Sequence, residues 1–170
     1  MSGDSKQPSL LQDVLFLLLK IGIIALLFFG LFTFVYGIFS CREPGMEPAV
    51  KDGDMVIYYR LDKNYQISDT VAVEYQGETM VRRVVAAEGD KVDITEDGLI
   101  INGALQQEEN IYEETLRYEE GIDFPITIQE GEVFLLGDAR ENATDSRIYG
   151  PVKVRDTLGK VMVIIRRRGI

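Results

Sequence analysis

The sequence predicts a mainly β domain behind one N-terminal transmembrane helix. Three observations carry that expectation. Residues 21–39 run for 19 positions without a charge. Behind them, short β-branched and aromatic runs alternate with glycine turns. After residue 41 no segment keeps a long helical period.

The apolar run IGIIALLFFGLFTFVYGIF has no polar face, as a core helix would have. At about 1.5 Å per residue it spans roughly 28 Å, the hydrocarbon thickness of a bilayer. Residues 14–19 extend it across Lys20, whose long stem can carry its ammonium to the interface. A cleaved secretory signal would have a shorter apolar stretch and a small-residue cleavage pattern, which is missing here. Cys41 follows bulky Phe39, which disfavours lipid attachment and leaves a lone thiol near the membrane surface. The expected organisation is an anchor over residues 1–41 and a β domain over 42–170.

Strands are expected at 55–59, 70–75, 80–87, 92–95, 99–101, 125–128, 133–136, 152–154 and 160–166, with a hairpin turn at Asn102-Gly103. Residues 106–123 hold seven acids (Glu108, Glu109, Glu113, Glu114, Glu119, Glu120 and Asp123) against Arg117 alone. The stretch reads as a solvated surface insertion, with an acidic docking surface as the sharper alternative. Arg166-Arg167-Arg168 reads as solvated charge or as a contact for anionic lipid.

Composition excludes several classes. The chain has 170 residues, no histidine and one cysteine. That removes Ser-His-Asp and Cys-His nucleophile systems, histidine-containing zinc motifs, cysteine metal clusters and an intrachain disulfide framework. No metal or cofactor is implied. The net charge of −10 speaks against nucleic acid as a partner. Lys6 and Lys20 balance Asp4 and Asp13, so the whole excess lies beyond residue 41.

Three ordered motifs follow the apolar run. The first is Gly45-Met46-Glu47-Pro48-Ala49 with Asp52-Gly53-Asp54. The second runs from Val81-Arg82-Arg83-Val84 to Gly89-Asp90. The third runs from Gly137-Asp138-Ala139-Arg140 through Ala143-Thr144-Asp145-Ser146-Arg147 to Gly150. In this order behind an apolar helix, they resemble the bacterial type I signal peptidases over essentially the whole chain. The resemblance implies a membrane-anchored, mostly β domain on the extracellular face of the cytoplasmic membrane, reached by a single pass. It also implies a Ser-Lys dyad that cuts signal peptides from exported precursors.

Carried over residue by residue, the resemblance puts the nucleophile at Gly45 and the base at Arg82. The oxyanion donor falls at Glu43, the lysine-orienting serine at Ala143, and Ala139 replaces a common asparagine. Glycine has no side chain to attack with. Guanidinium stays protonated and cannot act as a base. Glu43 would put negative charge where an oxyanion needs donors. Ser40, Lys51 and Lys91 stand elsewhere in the motif regions, and catalytic groups tolerate displacements of only about an ångström.

The expected function is therefore a non-catalytic signal-peptidase-like protein that binds or chaperones exported precursors. The alternative is an active signal peptidase I. Met46, Pro48, Asp138, Arg140, Asp145, Ser146 and Arg147 are expected to shape or hold the site. Internal ion pairs are expected between Asp138 or Asp145 and Arg140 or Arg147, and Met46 and Pro48 are expected to shape a strand at the former active site. The chain also resembles the dyad-less signal-peptidase-like proteins of Gram-positive pilus loci. That implies pilin precursors as clients, with membrane lipid, a sortase or secretion machinery as further partners.

Overall fold

The computed structural model describes residues 10–108 and 111–167. It contains two compact units, residues 1–35 and 36–170. Asp4, Lys6, Glu109 and Arg168 lie outside the described residues.

The first unit is helix α1, Leu10–Gly30, continued by a wider π-helical turn over Leu31–Val35. Its leucine, isoleucine and phenylalanine side chains are largely exposed, and Phe28 stacks on Phe32 with ring centroids 6.5 Å apart. Together the 26 residues are long and apolar enough to cross a membrane. The helix lies further toward the N-terminus than the uncharged run suggests. Residues Tyr36–Ser40 leave it to become strand β1. Hydropathy alone does not separate these five residues from the helix, but pairing does. β1 runs antiparallel to β2, Met55–Tyr59, in the register Tyr36↔Tyr59 to Ser40↔Met55. Gly37 faces Tyr58, and a Cβ there would lie 2.1 Å from that ring. Glycine thus lets the aromatic ring close over the strand.

The remaining strands are β3 Thr70–Tyr75, β4 Glu78–Ala87, β5 Lys91–Thr95, β6 Gly98–Ile101, β7 Ala104–Leu105, β8 Ile126–Thr127, β9 Glu132–Leu136, β10 Val152–Lys153 and β11 Gly159–Ile165. All expected strands are present, with ends moved by a residue or two. The two-residue β7 is additional, and it completes the hairpin whose turn is Asn102-Gly103. A seven-stranded antiparallel sheet has the order β1-β2-β11-β3-β4-β9-β10. A four-stranded sheet has the order β7-β6-β5-β8.

β4 belongs to the first sheet and carries the second motif. Its ladder with β9 shifts register between Val84 and Ala86. Such a bulge re-aims side chains. Here consecutive valines enter different cores. Val84 packs with Val71, Val73 and Leu135, whereas Val85 packs with Val92, Ile94, Phe134 and Leu136. A third cluster joins Met46, Val50, Val56, Val81 and Cys41. That cluster fixes the first motif against β2 and β4.

Candidate functional site: a closed dyad pocket

The first motif is a compact turn rather than the expected strand. Glu47 N donates to Pro44 O and Val50 N to Met46 O, both at 2.9 Å. Met46 is fully buried in the third cluster, and Pro48 is exposed. Buried Asp54 closes the following turn, accepting from the Lys51 and Arg167 backbone N–H groups at 3.0 and 3.1 Å.

The turn brings Gly45 beside Arg82 of β4 and the 137–144 loop. Arg82 is completely buried. Its Nη1 donates to Glu43 Oε1 at 2.6 Å and its Nη2 to Glu43 Oε2 at 3.2 Å. Nε donates to Thr144 O at 2.9 Å, and Nη1 also donates to Val81 O. Glu43 Oε2 accepts a third bond from Gly45 N–H at 2.8 Å. One carboxylate is thus held by two guanidinium nitrogens and one backbone amide. Charge assistance makes these bonds stronger than neutral ones.

The pocket leaves no room at position 45. A Cβ on Gly45 would sit 2.4 Å from Glu43 Oε2, 3.1 Å from Arg82 Nη2 and 3.2 Å from Ala143 Cα. The loop presses equally close from the other side. A Cβ on Gly137 would lie 2.2 Å from Ala143 Cβ and 2.4 Å from Gly45 O. Ala139 N donates to that same carbonyl at 3.2 Å. Alanine at 143 therefore fits a wall that a larger residue would push apart.

The third motif is an ion-paired frame. Asp145 is buried and caps the short helix α2, Ser146–Tyr149, by accepting from Arg147 N. It also accepts from Gly137 N at 3.0 Å, and binds Arg147 Nε and Nη2 at 2.9 and 2.8 Å. Ser146 Oγ accepts from Leu135 N at 3.0 Å. Of the expected pairings, Asp145 with Arg147 forms. Arg140 and Asp138 instead form their ion pairs outside the motif, while Arg140 Nε donates to Gly137 O within it at 2.9 Å. Arg140 binds Glu108 through Nη1 and Nη2 at 2.5 and 2.6 Å, and also Thr115 Oγ1. Asp138 holds Arg83, with Nε–Oδ1 at 2.7 Å and Nη2–Oδ2 at 2.5 Å. The bond to Asp138 raises the Arg83 pKa further above its ordinary value.

The acidic stretch is consequently more than a solvated insertion. Glu108 and Thr115 clamp Arg140, and Glu113 accepts from Glu141 N at 2.9 Å. Tyr118 Oη lies 3.0 Å from both Arg140 O and Ala143 O and shares its one proton between them, and its ring lies 4.3 Å beneath the Arg147 guanidinium. Burial raises the Tyr118 pKa. Glu114, Glu119, Glu120 and Asp123 remain exposed. The sequence carried no signal for these clamps. Their partners lie 22–32 residues apart in the chain, with no periodic relation.

Ser40 ends β1, while Lys51 is exposed in the turn and Lys91 opens β5 of the other sheet. None of the three takes part in the contacts of Gly45 and Arg82. Beside the ion pair lies a cleft of about 320 Å³. Phe39, Ser40, Arg42 and Glu43 line one side, and Gly77, Glu78 and Thr79 the other. β1 is an edge strand. In β4, Glu78–Arg82 pair with β3 alone, because the β9 ladder begins at Arg83. The cleft therefore lies beside unpaired strand edges.

Comparison with known proteins places this arrangement. The family model described as "Signal peptidase, peptidase S26" matches residues 14–166. The chain belongs to the S26 signal peptidase family. A probable thylakoidal processing peptidase 2 of Arabidopsis thaliana is 30% identical over 134 residues, 71% of this chain and 35% of that protein. Thylakoidal processing peptidase 1 of the same plant is 28% identical, and 39% of its length is covered. The match thus spans little more than a third of either plant protein. Signal peptidase IB of Staphylococcus aureus is 25% identical over 169 residues, 88% of each chain. A crystal structure of signal peptidase I from Enterococcus faecalis is similar at 26% identity, covering 58% of this chain and 97% of that one, with a TM-score of 0.48. In this member of the S26 family the third motif reads as scaffold: Asp145 pairs with Arg147 within it, Asp138 and Arg140 pair with Arg83 and Glu108 outside it, and together these bonds hold the 137–144 loop against Gly45.

Proposed function

We propose that this chain is a non-catalytic member of the family, a membrane-tethered protein that holds exported precursors without cutting them. One observation carries the reading. Where the resemblance places nucleophile, base and oxyanion donor, the structure has Gly45, Arg82 and Glu43 locked in one ion-paired cluster. Gly45 offers no attacking atom. Arg82 offers no lone pair to take a proton. The Gly45 N–H is already engaged by a carboxylate.

Binding needs none of these groups. An extended segment can add as a strand beside β1 or Glu78–Arg82, using main-chain hydrogen bonds for affinity. Signal-peptide-bearing precursors, including pilins, suit that mode. The helix ending at Val35 would cross the cytoplasmic membrane and the β domain would lie on its extracellular face. There it would work beside a sortase or the secretion machinery of a Gram-positive pilus system. Exposed Arg166 and Arg167 would face anionic lipid.

The test uses the full chain in detergent micelles with a signal-peptide-bearing precursor. Photo-crosslinkers replacing Ser40 or Thr79 are expected to capture the precursor, and no cleaved product is expected. Turnover that disappears on substitution within residues 36–170 would restore the active-peptidase reading.

A further inference from the structure

We propose that a second cleft, between β4 and the β6–β7 hairpin, docks an extended segment of another protein that carries an aliphatic side chain beside basic ones. This cleft has a volume of about 340 Å³. None of Glu43, Gly45, Arg82 and Ala143 lines it, so the inference stands apart from the precursor reading.

The walls define the anchor. Ile67, Val85, Leu99, Ile101 and Ile111 supply aliphatic surface. Val85 and Leu99 are buried, whereas Ile67 stands 53% exposed at the mouth. Ser68 beside it has a left-handed backbone, φ 76°, which a serine seldom adopts. Its carbonyl accepts from Arg83 Nη1 at 2.9 Å, and its N–H donates to Val84 O at 2.8 Å. These bonds hold the exposed isoleucine on a fixed wall. An aliphatic side chain entering the cleft is stabilised in proportion to the apolar area removed from water.

The polar groups define the main chain and its charge. Arg83 bonds Asp138 and Ser68 through three of its five N–H groups, which leaves two for an acceptor such as a peptide carbonyl. β7 is the end strand of its sheet and runs into Gln106 and Gln107 on the cleft wall. A segment laid beside β7 can pair through main-chain bonds while alternate side chains enter the cleft. A neighbouring cleft of about 200 Å³ shares Leu99, Gln106, Glu108 and Ile111 with the first. Its walls also carry Glu96, Asp97, Glu113 and Glu114, and no described lysine or arginine lines it. None of these four acids has an ion-pair partner among the described residues. The field there favours basic side chains next to the aliphatic anchor.

The experiment measures fluorescence anisotropy with the full chain in detergent micelles. The probe is a labelled, end-capped peptide, Thr-Lys-Val-Leu-Lys-Thr-Lys. Replacing its leucine by serine, or its lysines by glutamate, is expected to weaken binding at least tenfold. Ile67→Asp puts a charge on the apolar mouth at an exposed position and is expected to cost at least tenfold. Ile111→Asp takes its place if that variant does not fold. Glu114→Lys is expected to weaken binding at least threefold. Glu119→Lys makes the same charge change at an exposed acid that lines neither cleft, and is expected to leave binding unchanged. Equal binding of the leucine and serine peptides, or of wild type and the aspartate variant, overturns the docking site. So does equal weakening by Glu114→Lys and Glu119→Lys, or no binding of the leucine peptide to wild type. Capture of a precursor through Ser40 is expected to be unchanged in Ile67→Asp, which keeps the two binding readings separable.

Discussion

Introducing a side chain at position 45 tests the closed pocket directly. In Gly45→Ala the new Cβ meets Glu43 Oε2 at 2.4 Å, well inside contact distance, so the carboxylate must move. Moving it breaks the Gly45 N–H bond and loosens the pair with Arg82. A hydrogen bond to a charged group contributes about 1.5–3 kcal/mol, so we expect a loss of about 2–3 kcal/mol. Glu43→Ala alone leaves Arg82 buried with only its two carbonyl partners, at a cost of about 3 kcal/mol. In the double variant the vacated space accepts the methyl group, leaving tight contacts to Arg82 Nη2 and Ala143 Cα. The two costs should therefore fall short of additivity by about 1.5–2 kcal/mol, within the usual range for touching residues. Urea unfolding of the full chain in detergent, followed by near-ultraviolet circular dichroism, reads all four corners of the cycle. A neutral Gly45→Ala, or strict additivity, would refute the packing argument.

Two further outcomes are expected. The Tyr149 hydroxyl is buried with no hydrogen-bond partner, and burial raises its pKa, while its ring packs 4.8 Å from that of Tyr75. Tyr149→Phe keeps the ring contact and should raise stability by about 1 kcal/mol, seen as a higher urea midpoint. Burial likewise pushes the Cys41 thiol above its ordinary pKa, with the nearby Glu43 charge adding to it. The folded state then keeps its proton after the unfolded thiol has lost one, so stability is unaffected below about pH 8.5 and falls above it. Between about pH 8 and 10 the wild type should lose more stability than Cys41→Ala, and iodoacetamide should label the thiol only after denaturation.

Much of the fold was legible because strand chemistry is local. The runs at 55–59 and 70–75 coincide with β2 and β3, and Asn102-Gly103 marked its hairpin. The boundary of α1 was not legible. Tyr36–Ser40 are apolar enough for a membrane, and only pairing with Met55–Tyr59 makes them a strand. At the site, the residue types at 43, 45 and 82 were visible in the motifs. Their contact was not, because it depends on a turn folding Glu43 back over its own chain onto a strand 39 residues away. The partners of Arg140 were hidden for a related reason. An acid-rich stretch normally reads as solvated, and nothing in its spacing distinguishes Glu108, which binds an interior arginine, from Glu114, which faces water.

The position of the Glu43 carboxylate also constrains how a serine and a lysine could be placed at positions 45 and 82. A serine at 45 cannot be seated while that carboxylate remains. A lysine at 82 would give up the forked grip that neutralises it. Removing Glu43 first strands a cation in the interior. Each single step costs stability before a combined change could recover it, so on the proposed non-catalytic reading the locus behaves as a ratchet against reversal.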